Sequence, residues 1–206
     1  MARHSTRRAS TELRSPPSVD SLREGQRERR QRIVAAARRL MVEVDYDRIQ
    51  VKDVADEAGV ALGTLYRYFN SKDHLFACAL LAWSQNFGDR VASSTGGPTV
   101  ARVKAIYRLA ARAFERQPRV YGVMMQVQGS ADPNAVDVFT TFAHRQSDAF
   151  GLALSSSRLP AAKRDDVIAV MSAVLDENLR SWQLGRQPIS AVYGAIDRAA
   201  DLILGR

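Results

Sequence analysis

The residues from which metal or nucleophilic chemistry is built are scattered in this chain. His4, His74 and His144 form no HExxH pair, and no GxSxG turn occurs. Cys78 is the single cysteine, so an intramolecular disulfide and a CxxC metal knuckle are both excluded. The Gly-containing stretch 93–98 lacks the Gly-Lys-Ser/Thr of a phosphate loop. No catalytic site, metal site or cofactor is predicted. One short set has types and spacing suited to a different chemistry: Ala61, Leu62, Gly63, Thr64, Tyr66, Arg67 and Tyr68. Its small residues permit close approach, while hydroxyls and a guanidinium can bond phosphate oxygens or base edges of a duplex. A merely solvated face would rarely place two tyrosines beside a glycine.

The elements that must position this set follow from periodicity. Ile33, Val34, Ala37, Leu40, Met41 and Val44 recur at helical spacing and predict an amphipathic helix over 25–44, with Asp45 at its exit. Val51, Val54, Ala55 and Ala58 predict a second helix of two turns that stops at Gly59. A third runs from Leu62 to Tyr68 or Phe69, with Leu65 and Phe69 inward and the polar set outward. Asn70-Ser71 then caps a longer helix, carrying Leu75, Phe76, Ala79, Leu80 and Trp83, to about Phe87. Two short helices joined by a tight Gly-containing turn behind a packing helix form a helix-turn-helix, whose second helix fits the major groove.

Charge agrees with that placement. Residues 1–39 carry eleven arginines against four acids, whereas 40–206 carry nineteen basic and eighteen acidic groups, so nearly all of the net +8 sits at one end. Residues 1–24 read as a flexible basic arm, rich in Ser, Thr, Arg and Pro through residue 22, able to reach phosphate without a fixed geometry. RNA could also attract a basic end, but its recognition favours aromatics on a sheet or open groove, and here the tyrosines lie on a helix. No apolar run is long enough to span a membrane and no secretory signal is recognisable, which points to a cytoplasmic protein.

Ser93 to Pro98 is the strongest breaker and divides a domain over 25–88 from one over 98–206. Beyond it the pattern is helical throughout, over 99–117, 119–128, 133–156, 161–185 and 189–204, with Pro118, Pro133, Pro160 and Pro188 at the joins. The expected fold class is all-α. Tyr107, Met124, Met125, Phe139, Phe142 and Phe150 supply bulky apolar groups that can line a cavity or fill a core. In the helix 161–185, Asn178 occupies a gap in the stripe Ile168, Met171, Leu175 and Trp182, where an amide needs a partner from backbone, a neighbouring helix or a ligand. Asp176 and Glu177 beside it read as facing solvent or a subunit contact. Ile189, Val192, Ile196, Ala199, Ala200 and Ile203 stripe the last helix and could build a four-helix contact about a twofold axis.

Val51 to Lys72, reading VKDVADEAGVALGTLYRYFNSK, resembles the TetR family of bacterial repressors over about residues 27–87. The resemblance implies that Leu62, Gly63, Thr64, Tyr66, Arg67 and Tyr68 face DNA, with Ala61, Gln50 and Lys52 beside them and Lys72 capping a phosphate contact. Asp45 stands where the family usually has Gly, and Gln50 where a Thr or Ser caps the second helix and touches phosphate. Within the family, Gln26 to Arg30, Val60 to Phe69, Asn178-Leu179 and Trp182 are similar to the actinobacterial branch of sterol-catabolism repressors. The same resemblance implies a homodimer on a palindromic operator in double-stranded DNA. It also implies release by a small apolar ligand of steroid or fatty-acid type, free or as a CoA thioester. Tyr107, Met124, Met125, Phe142, Asn178 and Trp182 are its expected contacts.

Overall fold

The computed structural model describes residues 22–92, 97–155 and 157–205. Among them are ten α-helices, a single 3-10 turn and no strand. The basic arm predicted over 1–24 lies outside the described residues except at its end. Leu22 is buried in the core there, and the first helix already begins at Glu24.

Helix α1 (Glu24–Glu43) buries Ile33, Val34, Ala36, Ala37 and Met41 on one face. After the 3-10 turn Tyr46–Arg48 come α2 (Val51–Glu57) and α3 (Leu62–Tyr66). Asp45 has φ −64°, so the expected glycine is not needed at that exit. The Asp53 carboxylate supplies a cap for α2 by accepting the Gln50 N–H at 2.9 Å. The turn to α3 closes as a Schellman motif. Gly59 at φ +65° donates to Asp56 O, and Val60 N–H reaches back to Ala55 O at 3.0 Å.

Helix α4 (Lys72–Trp83) starts where Ser71 Oγ accepts the His74 N–H at 2.9 Å. Seven consecutive residues, His74 to Leu80, are buried, as in a helix surrounded by others. It packs on α1 at one side and on α7 (Pro118–Gln128) and α8 (Pro133–Leu152) at the other. The helix expected to reach Phe87 ends at Trp83. Ser84 Oγ donates to Leu81 O at 2.9 Å, and the chain restarts as α5 (Phe87–Ala92).

The remaining helices are α6 (Thr99–Arg116), α7 (Pro118–Gln128), α8 (Pro133–Leu152), α9 (Ala161–Gln183) and α10 (Ile189–Leu204). Helix α6 follows the breaker that ends at Pro98, and the other four each begin just after or at the proline read at their join, because proline suits a first helical turn and has no N–H to lose there. Helix α8 stops short of the expected residue 156. Its end is held by Arg102 of α6, a buried guanidinium whose Nε donates to Ala153 O at 3.0 Å and whose Nη1 donates to Gly97 O at 2.6 Å. A cation suits the carbonyl end of a helix. Helices α6 and α10 are tied on their outer faces by Lys104 to Asp201 and Arg108 to Asp197. The buried apolar residues form one continuous core from Leu22 to Ala200.

Candidate DNA-reading face and ligand cavity

Helix α3 stands on Leu65, fully buried, with Phe69 fully buried just beyond its end. That seating turns Ala61, Leu62, Gly63, Tyr66 and Arg67 to solvent and leaves Thr64 half-buried. Leu62 is 39% exposed and Tyr66 50%, so both are open to a partner surface. Gln50 and Lys52 at the start of α2 are exposed as well. Two acids that would oppose a polyanion are engaged, Asp53 in the cap and Glu57 with Arg39 at 2.5 Å. A Cβ added at Gly63 would meet nothing within 4 Å, so the bare backbone there is not required by the chain's own packing.

Tyr68 departs from the expected outward set. It is only 6% exposed. The end of α3 tightens to i→i−3 bonds, Arg67 N–H to Thr64 O and Tyr68 N–H to Leu65 O, which carries Tyr68 past the position that 3.6-residue spacing predicts. Lys72 is likewise turned inward. Its ammonium donates to Tyr46 O and lies 4.0 Å from the centre of the Tyr46 ring, and burial lowers its pKa against the pull of Asp47 and Asp73. Half-buried Lys72 thus braces the Tyr46 turn in this structure.

Behind the reading head lies a half-open cavity of about 800 Å³ lined by residues from α4 to α9. Phe114, Met124, Phe139, Phe142 and Phe150 make its apolar wall, and exposed Ala143, Ala169 and Ala173 mark its mouth. Polar groups border it too, among them Gln117, Gln146, Asp165 and Asp176, and some are held by neighbours. Trp83 Nε1 donates to Gln117 Oε1 at 2.5 Å, and Tyr121 OH donates to Asp176 Oδ1 at 3.1 Å. Burial, reinforced by the Asp176 charge, pushes the Tyr121 phenol well above its ordinary pKa and keeps it a donor. Arg90 and Arg116 also border the space.

Of the predicted ligand contacts, Met124 and Phe142 line the cavity and four do not. Tyr107 is stacked on Phe150 at 4.2 Å, with its hydroxyl 3.2 Å from both Ile168 O and Ser172 Oγ. Met125 and Trp182 pack against the core without reaching the space. Asn178 finds its partners in backbone and a neighbouring loop. Its amide donates to Val174 O at 2.8 Å, and its Oδ1 accepts from Gln187 Nε2 at 3.1 Å. The buried stripe of α9 is Val167, Met171, Leu175 and Leu179, stepping by four, which rotates Asn178 to the side. Asp176, read from sequence as facing solvent or a subunit, borders the cavity instead.

The description "Bacterial regulatory proteins, tetR family" belongs to the family model that matches residues 33–79. The HTH-type transcriptional repressor KstR of Rhodococcus jostii is 30% identical over 206 residues, covering 100% of this chain and 97% of that protein. The chain belongs to the TetR family.

It is therefore a helix-turn-helix DNA-binding transcriptional repressor of that family and not an enzyme. A TetR transcriptional regulator from Rhodococcus sp. RHA1 superposes with TM-score 0.71 at 30% identity, covering 88% of this chain and 98% of that one. FadR of Thermus thermophilus, a TetR-family repressor solved with lauroyl-CoA, shares the fold with TM-score 0.69 at 15% identity, covering 85% and 93%. The TetR resemblance in the sequence was strongest over residues 27–87 and touched the second half only at Asn178-Leu179 and Trp182. Trp83, Gln117 and Asp176 were not foreseen at the cavity, since each sits in a pattern that reads as core or surface. Arg102 was missed too, although a lone Arg inside an apolar stripe is a signal that it must be paired. No described helix is long and apolar enough to cross a membrane.

Proposed function

We propose that this TetR-family repressor acts as a homodimer in the cytoplasm, reads a palindromic operator with α3, and releases it when a small apolar molecule enters the cavity. The observation that carries the reading is Trp83. It ends α4, the helix that follows the reader, and it also walls the cavity, so an occupant touches the element that seats the reading head. A volume near 800 Å³ with aromatic walls suits a steroid or fatty-acyl body. Arg116 at its border, with the acids Asp165 and Asp176 on the same lining, supplies a cation for an anionic end such as that of a CoA thioester. The FadR relative solved with lauroyl-CoA supports an acyl-CoA as the first class to test.

The dimer reading rests on α9 and α10. Val170 and Leu184 are each 49% exposed and Leu202 86%, on or just after these two helices. Large apolar groups left open on adjacent helices fit a twofold four-helix contact. Leu62, Gly63, Thr64, Tyr66 and Arg67 are assigned to DNA, with Ala61, Gln50 and Lys52 flanking them. The experiment is capture of bound DNA from the native host, followed by titration of the captured duplex with lauroyl-CoA, stearoyl-CoA and a steroid acyl-CoA. Release by one class identifies the effector; undiminished binding with all three overturns the ligand reading and leaves the family assignment standing.

A further inference from the structure

A helix that walls the cavity meets the reading-head side at a second place, and there the contact is polar. Asp132 is the N-cap of α8, where its Oδ1 accepts the Asn134 N–H at 2.9 Å. Ser71 is the N-cap of α4. The two caps are bonded to each other, because Ser71 Oγ accepts the His74 N–H and donates its own proton to Asp132 Oδ2. A neighbouring bond runs parallel: Ser130 Oγ donates to Asp73 Oδ2 at 2.6 Å and accepts the Asp132 N–H at 3.2 Å. Asp73 Oδ1 accepts in turn from Tyr46 OH, in the turn that leads to α2. Burial alone would raise the Asp132 pKa, but the donors Ser71 and Asn134 outweigh it and hold the carboxyl below its ordinary value, ionised at neutral pH.

Each side of this clamp leads somewhere specific. Asp132 starts the helix that carries Phe139, Phe142 and Phe150 into the cavity wall. Ser71 follows Phe69, the fully buried residue just beyond the end of α3, by two positions. We propose that Asp132 and Ser71 are positioning residues that couple cavity to reader: the shared hydrogen bond of the two caps passes a displacement of α8 to the start of α4 and so to α3. The inference rests on the cavity as effector site, and deepens that reading by naming the path. Coupling needs an element with two arrangements that both sites bias, and a cap-to-cap bond at the junction of two helices can be made or broken as a unit.

A double-mutant cycle on operator binding tests the bond without any ligand. The full-length chain and its Ser71→Ala, Asp132→Ala and doubly substituted forms are titrated with a duplex selected by the unsubstituted protein from a random pool. Each single change is expected to shift the dissociation constant by about 3-fold or more. The double change should shift it no further than the larger single, since both remove one shared interaction. Independent, multiplying effects overturn the clamp. Ser130→Ala, which leaves both caps in place, should give a smaller shift in the same direction, and serves if a cap variant folds poorly.

Lauroyl-CoA then probes the path. Release by about 5-fold or more in the unsubstituted protein should fall below about 2-fold in Asp132→Ala, with the probe's affinity for DNA-free protein, by calorimetry, changed little. Full release in a variant that binds the probe normally would show that coupling travels elsewhere. If the unsubstituted protein binds no acyl-CoA, it is the effector reading that fails, and the ligand-free cycle still decides the clamp.

Discussion

The reading face draws its side chains from one run, Ala61 to Arg67, on a helix of five residues. The cavity draws on α4, α5, α6, α7, α8 and α9, with lining residues from Trp83 to Leu179. The first site needs only that one short helix stand on Leu65 and show its other side. The second exists only after six helices have packed. Substitutions at the first should therefore act on DNA and leave stability alone, whereas those at the second mix ligand effects with packing. The contrast breaks if a reading-face variant unfolds the protein, or a cavity variant changes operator affinity without ligand.

The largest effect is expected at Gly63. Glutamate fits the free protein, because its Cβ meets nothing, but it would place a carboxylate against phosphates where only a hydrogen stands. Gly63→Glu should weaken duplex binding by about 100-fold or more, since a like-charge contact in an interface costs several kcal/mol. The melting temperature should stay within about 3 °C, given a helix-propensity term of under 1 kcal/mol. Gel-shift titration and thermal melting of one preparation check both halves. Tight binding by the folded variant would move the reader away from α3.

Ala143→Trp is the counterpart at the mouth of the cavity. The exposed Ala143 side chain borders the empty space, so an indole can enter it without displacing core. Ligand-driven release should fall by about 10-fold, the scale of one lost group in an apolar pocket, while operator affinity without ligand holds. An unchanged response would mean that the effector sits elsewhere.

How far each site could be read in the sequence follows the same division. The exposed face of α3 was legible because helix, turn and outward positions lie within twenty-odd residues and spacing alone orients them; Tyr68, where α3 tightens at its end, and Lys72, drawn to Tyr46, sit otherwise than spacing suggested. The five later helices were legible from their prolines and apolar periods, since those signals are local too. The α4 and α5 break at Ser84 was not, because a side-chain bond to Leu81 O leaves no mark in the periodicity. The cavity was half-legible: bulky apolar residues were countable, but which of them face a void depends on how α9 is rotated. Asn178 shows this, since a register of four along Val167, Met171, Leu175 and Leu179 turns it away from the space.

Asn178 accordingly sharpens the comparison from the packing side. It holds Gln187 through two bonds, Nε2 to Asn178 O at 2.8 Å and to Oδ1 at 3.1 Å, and so fixes the turn between α9 and α10. Asn178→Leu loses the side-chain part, worth about 1 kcal/mol, and should lower the melting temperature by about 2–4 °C. Ligand response and operator affinity should both hold once the protein is folded. A selective loss of ligand response, by calorimetry with the effector, would restore Asn178 to the cavity.

The smallest effect lies between the two regions, at His74. Its side chain is 6% exposed, its ring stands edge-on to Phe69 at 5.4 Å, and Nδ1 is 2.8 Å from Asn70 Oδ1. Burial lowers its pKa below the ordinary 6.5, with Asp132 pulling upward and Arg30 pushing further down. The folded chain therefore stays neutral at a pH where the unfolded chain takes up a proton. Stability is full above pH 6.5 and falls as pH drops through that value, until the folded pKa is reached. Asp132 contributes in a separate window, because its carboxyl lies below 3.8 and its bonds are lost only in stronger acid. His74→Gln keeps a polar group near Asn70 but cannot titrate. Between about pH 7 and 6 the unsubstituted protein should lose about 2 °C or less of melting temperature relative to this variant, a single-proton effect. Parallel melting curves for the two proteins across that interval would show that His74 is protonated equally in both states, and that the junction beneath the reader is open to water.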